Sequence, residues 1–272
     1  MAFHWIDPED YSFNCILLMD RYLIRQLCKR EGYQEEYLRN LGIALAYNPA
    51  VAWYCREKAP EIAEDVEQLV KNAPKDCDEE QIRSAECFVL DYQDWAVVYM
   101  YPERMNLRCP YICDWNPERL FELADFTDKV VLDVGAGSGR LAFAAARKAK
   151  SVYASEPVDR LREFMRDKIR KEGIQNVTVL DGTCDWLPYE DNSFDIVMSG
   201  HVVGDDYEKE LGELTRVVKN GGWILDCPGE DDRQASLKQE LLERGFEYFY
   251  YKSRNGGDVY RYRKQIFKNV KE

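Results

Sequence analysis

Histidine is scarce in this chain: His4 and His201 are the two histidines among 272 residues. Zinc sites in proteins need several cysteine or histidine ligands at close spacing. Cys109 and Cys113 are close in the sequence, but no second cysteine pair and no histidine lies near them. We therefore expect unconnected thiols at these positions and no metal site.

Long apolar runs and an excess of positive charge are also missing. No run approaches the roughly 20 apolar residues that a membrane span needs, and no basic and apolar leader is recognisable. Lys and Arg number 37 against 50 Asp and Glu, a net charge of −13 that repels nucleic-acid phosphates and anionic membranes. Nine cysteines, an odd number, indicate reduced thiols. We expect a cytoplasmic protein that binds neither membrane nor nucleic acid.

The pattern of apolar residues divides the chain into two parts. Residues 1–114 are predominantly helical by pattern, and residues 115–272 alternate between strands and helices. In the first part, helices are predicted over residues 11–30, 35–46, 60–71 and 79–100, with a linker-like break at 72–78. With 46% apolar residues and 13% aromatics, the chain excludes disorder.

The most informative segment is an apolar run, Val130–Val134, which leads into three glycines at alternate positions, Gly135, Gly137 and Gly139. An apolar helical segment follows. A strand, a glycine-rich turn and a helix N-terminus together can hold a nucleotide-like ligand at the carboxyl end of the strand. Arg140 stands where the dinucleotide fingerprint needs its last glycine, so nicotinamide and flavin cofactors are disfavoured. A plain turn and another nucleotide site are the alternatives.

The elements after the glycines follow a regular order. A strand over residues 151–155 ends in Glu156, about 20 residues after the first glycine, where an acidic side chain can hold ribose hydroxyls. Helices are then predicted over residues 159–172, 207–218 and 232–243, and strands over 176–180, 196–199, 223–227, 246–252 and 259–267. Lys219–Gly222 is expected to close the second of these helices. Asn255-Gly-Gly257 predicts a hairpin between the last two strands.

Residues from about 115 to 268 resemble class I S-adenosylmethionine-dependent methyltransferases. The resemblance depends on the Asp133-x-Gly-x-Gly-x-Gly motif, on the Leu-Pro and Ser-Phe-Asp elements between Asp181 and Asp195, and on the closing hairpin. It implies an α/β fold with a Rossmann-like seven-stranded sheet, mostly parallel with an antiparallel C-terminal hairpin. It also implies S-adenosyl-L-methionine as cofactor. Residues 1–114 lie outside the resemblance, and we expect them to form a helical cap that supplies the substrate region.

The resemblance also implies which residues contact the cofactor. They are Asp133, Gly135, Ala136, Gly137, Gly139, Glu156, Pro157, Thr183, Cys184, Asp185 and Ser199. One position departs from the family, which places Gly-Asp-Ala where this chain has Gly182-Thr183-Cys184. The uncharged Thr183 hydroxyl, or Asp185 or Asp181 after a small loop shift, would then contact the adenine. The backbone amide of Cys184 can keep its role because it needs no side chain.

Methyl transfer is an in-line displacement, which depends mainly on alignment of the reactants in a dry site. His201, just beyond the fourth strand, is the candidate general base for an acceptor that must lose a proton. Asp205 and Asp206 are expected to begin the following helix as caps.

We expect a methyltransferase that acts on an unidentified small molecule. Enzymes that methylate the amino groups of bases resemble one another in an Asn/Asp-Pro-Pro-aromatic tetrad after the fourth strand. This chain has Ser199-Gly-His-Val202 there, which disfavours nucleic acid as the methyl acceptor. A protein methyltransferase and a non-catalytic cofactor-binding sensor or subunit are the alternatives. The oligomeric state cannot be predicted from these patterns.

Overall fold

The structure is a computed structural model that describes residues 5–30, 32–229 and 236–268. The chain divides into two compact units, Met1–Arg108 and Cys109–Glu272. Within the described part of the chain, no helix has the length and apolar character needed to cross a membrane.

The first unit is helical. Its α-helices are α1 (Arg21–Cys28), α2 (Glu35–Tyr47), α3 (Pro49–Lys58), α4 (Ala63–Asn72), α5 (Glu79–Tyr92), α6 (Asp94–Tyr99) and α7 (Pro102–Arg108). Short 3-10 helices cover Pro8–Asp10, Phe13–Leu18 and Pro60–Ile62. Buried aliphatic side chains from α1, α2 and α5, among them Leu23, Leu41 and Val89, contribute to its core.

Two of the helices expected in this unit are interrupted, and one helix was not predicted. The helix expected over residues 11–30 is interrupted at Asp20, whose Oδ1 accepts a hydrogen bond from Leu23 N (3.0 Å) and caps α1. The helix expected over 79–100 breaks at Gln93, a buried side chain that donates to Tyr33 Oη (2.7 Å). Helix α3, which was not predicted, begins at Pro49, because proline is well suited to the first helical position.

The second unit is built on a sheet. In order it contains α8 (Pro110–Cys113), α9 (Glu118–Phe121), β1 (Val130–Val134), α10 (Arg140–Ala145), β2 (Ser151–Ser155), α11 (Asp159–Glu172), β3 (Val177–Leu180), β4 (Phe194–Ser199), α12 (Tyr207–Val217), β5 (Val218–Asp226), α13 (Gln239–Glu243), β6 (Glu247–Lys252) and β7 (Asp258–Gln265).

The described strands form one seven-stranded sheet in the order β3-β2-β1-β4-β5-β7-β6. Strands β1 to β5 are parallel, and β7 is antiparallel to both of its neighbours. The α/β fold expected from the sequence, a mostly parallel seven-stranded sheet with an antiparallel C-terminal hairpin, is therefore confirmed.

Both faces of the sheet are covered by apolar side chains. On one face, Val131 and Ile196 belong to the same buried cluster as Leu141 of α10 and Met165 of α11. On the other face, Leu132 and Val197 of the same two strands pack in a cluster with Leu214 of α12. Burial on both faces explains why β1 and β4 are nearly continuous apolar runs.

The strand order reverses between β1 and β4. From β1 the chain runs outward through β2 and β3, and it returns to the other side of β1 with β4 and β5. The crevice beyond the carboxyl ends of two such strands is where open α/β sheets bind ligands. The topology therefore places a candidate site next to the glycine turn.

Two boundaries in this unit differ from expectation. Lys219–Gly222 does not close a helix, because β5 already begins at Val218, with a register shift against β4 and Gly221 at φ +78°. The helix expected over 232–243 is described from Gln239 only, and residues 236–238 are not helical. The remaining expected residues, 232–235, lie outside the described residues.

Candidate functional site

The turn after β1 is built from backbone conformations that favour glycine. Gly135, Gly137 and Gly139 have φ values of +64°, +58° and +93°. Ala136 lies between the first two, is buried, and donates its N–H to Ser155 O (3.0 Å) at the end of β2. Gly139 N donates to Ala136 O (2.9 Å), and α10 begins directly after it. The turn therefore exposes backbone along the carboxyl ends of β1 and β2.

The three glycines have different surroundings. A Cβ atom on Gly135 would lie 2.3 Å from Val202 Cγ2, and one on Gly139 would lie 2.3 Å from the Phe143 ring. A Cβ atom on Gly137 would meet no heavy atom of the described residues within 4 Å. Gly135 and Gly139 are thus required by packing, whereas Gly137 faces open space in which a ligand can approach the backbone.

Glu156 lies beside this open space. Its side chain is buried, with Oε2 accepting a hydrogen bond from Gly137 N (2.8 Å) and Oε1 accepting one from Val158 N (2.9 Å). Pro157, between them, is half-buried. A carboxylate oxygen can accept two hydrogen bonds, so both oxygens of Glu156 can also accept one from a ligand. A hydrogen bond therefore joins the glycine turn directly to the acidic residue after β2.

Asp133 lies near the carboxyl end of β1, two residues before the first glycine of the turn. It is 1% exposed, and its Oδ2 has no hydrogen-bond partner within the described residues. Burial raises the pKa of this carboxyl to about 7, while the charge of Arg140 and the Ala142 N–H act to lower it and Glu156 acts to raise it. A buried polar atom without a partner is costly, which indicates that Oδ2 is placed to receive a donor.

The loop after β3 brings together the residues expected to contact the adenine. Thr183 and Trp186 form two backbone hydrogen bonds, with N to O distances of 3.3 and 3.1 Å. The exposed Asp185 carboxylate accepts from Lys209 Nζ (2.8 Å) and from the Thr183 side chain, and both contacts lower its pKa. Burial raises the pKa of the Cys184 thiol to about 12. The side chains of Thr183 and Asp185 are therefore hydrogen-bonded to each other.

The loop after β4 is held by a carboxylate that was not anticipated from the sequence. Glu210 of α12 is buried and accepts hydrogen bonds from the N–H groups of Gly204 (2.8 Å), Asp205 (3.3 Å) and Asp206 (3.1 Å). Asp206 caps α12 through Lys209 N (3.2 Å), as predicted. A charged residue at a helical position was expected to face solvent, which is why the pattern did not reveal Glu210.

His201 and Ser199 flank the start of this loop. His201 is exposed, has a φ of +62°, and accepts a hydrogen bond from Gly229 N at Nε2 (2.7 Å). A ring nitrogen that accepts is unprotonated. The fully buried Ser199 Oγ donates to Asp226 Oδ1 (3.2 Å), and Asp226 Oδ2 accepts from Lys238 Nζ (3.0 Å). Sequence analysis did not identify Asp226 or Lys238, because their partners are distant in the chain.

Metal ligands are not clustered in the described structure. No group of three or more His, Cys, Asp or Glu side chains within residues 5–30, 32–229 and 236–268 is arranged to hold a metal ion.

Comparisons with known proteins agree on one part of the chain. Residues 132–225 match the family model described as "Methyltransferase domain". The chain is 28% identical over 116 residues to the demethylmenaquinone methyltransferase of Lactococcus lactis, and 33% identical over 116 residues to phosphoethanolamine N-methyltransferase 1 of Triticum aestivum. These alignments cover 41% and 40% of this chain, and 46% and 23% of the two relatives. The chain thus spans less than half of either relative.

A solved structure supports the fold. The crystal structure of a putative S-adenosyl-L-methionine-dependent methyltransferase from Methanococcus maripaludis aligns with a TM-score of 0.50 and 18% identity, over 63% of this chain and 95% of that one. The family-model match over residues 132–225 spans the glycine turn, the acidic residue after β2 and the loop after β4, which are the elements of the candidate site. Residues 132–225 of the second unit therefore form a methyltransferase domain, and the unit shares the fold of S-adenosylmethionine-dependent methyltransferases.

Proposed function

We propose that this protein transfers the methyl group of S-adenosyl-L-methionine to a small-molecule acceptor. The observation that carries the proposal is the arrangement of Gly137 and Glu156. Open space faces Gly137, and the Glu156 carboxylate is fixed beside it by the Gly137 N–H. A ribose diol needs such a carboxylate, and the adjoining chain of the cofactor needs backbone without side chains.

The residues around this space fit the cofactor. Glu156 would accept hydrogen bonds from the ribose hydroxyls, and Asp133 Oδ2, which has no partner among the described residues, would receive a donor from the amino-acid end. The Cys184 amide and the Thr183–Asp185 pair would hold the adenine side. The remaining contacts are assigned to Gly135, Ala136, Gly139, Pro157 and Ser199. When bound, the cofactor supplies an electrophilic methyl group on a sulfonium.

We assign the candidate base role to His201. The neutral imidazole lies at the end of β4, on the side of the sheet crevice away from β2. Nε2 is the unprotonated nitrogen and is occupied by Gly229 N–H, while Nδ1 of the neutral ring carries the proton, so His201 would accept a proton at Nε2 after release of that amide. An acceptor that is already nucleophilic, such as an amine, needs no base, and His201 would then fix the start of the segment after β5.

A small acceptor is supported by the names of the two relatives, which denote demethylmenaquinone and phosphoethanolamine as substrates of those proteins. The first unit lies outside the matched residues 132–225. We propose that this unit, with residues 109–114, selects the acceptor and caps the site. The net charge of −13 further favours an acceptor other than nucleic acid.

The test is transfer of labelled methyl from the cofactor. Incubation with a metabolite extract should label a small organic product, and the His201→Gln variant should label it at least about tenfold more slowly if the acceptor must lose a proton. Label in protein instead of small molecules would contradict the proposed acceptor class. Tight cofactor binding with no transfer to either pool would contradict catalysis and identify a sensor or subunit.

A further inference from the structure

Arg140 connects the ends of three strands. It follows the glycine turn after β1, and its Nη2 donates a hydrogen bond to Cys227 O, directly after β5. A Cβ atom on Gly200 would lie 2.7 Å from Arg140 Nη2, so the guanidinium also packs against the turn after β4. One side chain therefore spans the carboxyl ends of β1, β4 and β5.

The guanidinium is also held by an aromatic ring. The centroid of the buried Trp115 ring lies 5.1 Å from the guanidinium carbon of Arg140 and 5.2 Å from that of Arg261. Cation–π contacts at such distances favour a fixed position of the cation, more so in a desolvated setting. Arg261 is fully buried and donates a hydrogen bond to Tyr251 Oη (2.6 Å). The Trp115 ring therefore packs against a second arginine that is itself held in place.

The charge of Arg140 acts on Asp133. Around the Asp133 carboxyl, the Arg140 charge and the Ala142 N–H favour the ionised form, and Glu156 and burial disfavour it. The Cys227 thiol faces both Arg140 and Arg261, and burial raises its pKa, so it adds no negative charge at neutral pH. Arg140 is therefore a cation whose charge favours the ionised form of the buried Asp133 carboxyl.

We propose that Arg140 is a positioning residue of the cofactor site, which joins the ends of β1, β4 and β5 and favours the ionised form of Asp133. The proposal rests on the proposed function for its ligand, but its electrostatic part concerns the chain alone. Arg140 would thereby link the methyl-donor side of the site, at β1, to the methyl-acceptor side, at β4 and β5.

The ligand test compares Arg140→Met, Arg140→Lys and the unchanged protein by calorimetry with S-adenosylhomocysteine between pH 6 and 9. Arg140→Met should weaken binding about tenfold or more at neutral pH, and the pH midpoint of binding should move upwards by about one unit. Arg140→Lys keeps the charge and should restore the midpoint. An unchanged midpoint in Arg140→Met would overturn the proposal, because loss of packing alone does not move it.

A second measurement needs no ligand and separates this proposal from the proposed function. The folded pKa of Asp133 lies above its unfolded value, so its contribution to stability is largest at low pH and is lost as pH rises through the folded pKa. Arg140→Met should extend this loss of stability to higher pH, and it should not do so in an Asp133→Asn background. Equal pH dependence in both backgrounds would overturn the proposal, whereas absence of ligand binding in the unchanged protein would contradict only the proposed function.

Discussion

At the scale of single residues, the glycines of the turn after β1 differ in what they do. Gly135 and Gly139 allow close packing against Val202 and Phe143, and both would be required in a turn that binds nothing. Gly137 has no such neighbour among the described residues. The sequence motif does not distinguish the three glycines. The different physical requirement for each one follows only from the space around it in the folded chain.

This difference gives a matched pair of variants. Gly137→Leu should abolish binding of S-adenosylhomocysteine, because the side chain would fill the open space. Gly173, at the end of α11, has a similar φ of +67° and equally open surroundings, so Gly173→Leu carries a similar backbone strain, roughly 1–2 kcal/mol. Calorimetry should show unchanged affinity for the Gly173 variant. Equal affinities for both variants would mean that Gly137 serves only the turn.

The Glu156 carboxylate provides a second prediction. Glu156→Gln keeps the shape of the side chain and can still accept from Gly137 N, but it loses the negative charge. Charge-assisted hydrogen bonds are roughly twice as strong as neutral ones, so affinity for S-adenosylhomocysteine should fall about tenfold to a hundredfold. Glu163→Gln, on the exposed surface of α11, is the control and should bind normally. Normal binding by Glu156→Gln would remove the ribose assignment.

Asp133 should reduce stability at neutral and alkaline pH. Because burial raises its pKa to about 7, stability from this group is present in acid and is lost between its unfolded value of about 3.9 and pH 7. Asp133→Asn should therefore raise the free energy of unfolding at pH 8 by about 1–3 kcal/mol, with the gain shrinking towards pH 4. Urea unfolding at both pH values measures this. A gain that does not depend on pH would contradict the buried charge.

At the scale of elements, the second unit was largely predictable from the sequence. The limits of β1 and β2 match expectation because buried parallel strands are short, nearly continuous apolar runs. Those of α11 match because Gly173, in the left-handed conformation, ends it. In the first unit, the breaks at Asp20 and Gln93 depend on a local cap and on distant tyrosines. Periodicity does not contain that information.

The loop after β4 gives a prediction at this scale. Glu210→Ala removes the buried, charged acceptor of three backbone N–H groups, and hydrogen bonds to charged groups contribute about 1.5–3 kcal/mol to the free energy of unfolding. Glu208 lies two residues earlier on the exposed face of α12, where it pairs with Arg244, so Glu208→Ala should change stability by less than about 1 kcal/mol. Urea unfolding should separate the two variants. Similar values for both would show that Glu210 does not hold the loop.

At the scale of the whole molecule, the two units are assigned different parts of the proposed reaction, the methyl donor and the methyl acceptor. The methyl donor follows from the second unit, where Asp133, Gly137 and Glu156 were predicted from sequence spacing and lie together in the structure. Arg140, Asp226 and Lys238 were not recognised as linked, because residues from separate elements meet only in the folded sheet. The proposed choice of acceptor is assigned to the first unit, which lies outside the residues matched by the family model.

The proposed function requires that the chain bind S-adenosyl-L-methionine at the glycine turn. Calorimetric titration of the full chain with S-adenosylhomocysteine tests it most directly. We predict one site per chain with a dissociation constant below about 100 µM, corresponding to a binding free energy of roughly −5.5 kcal/mol or stronger. No binding at high micromolar ligand would contradict the claim.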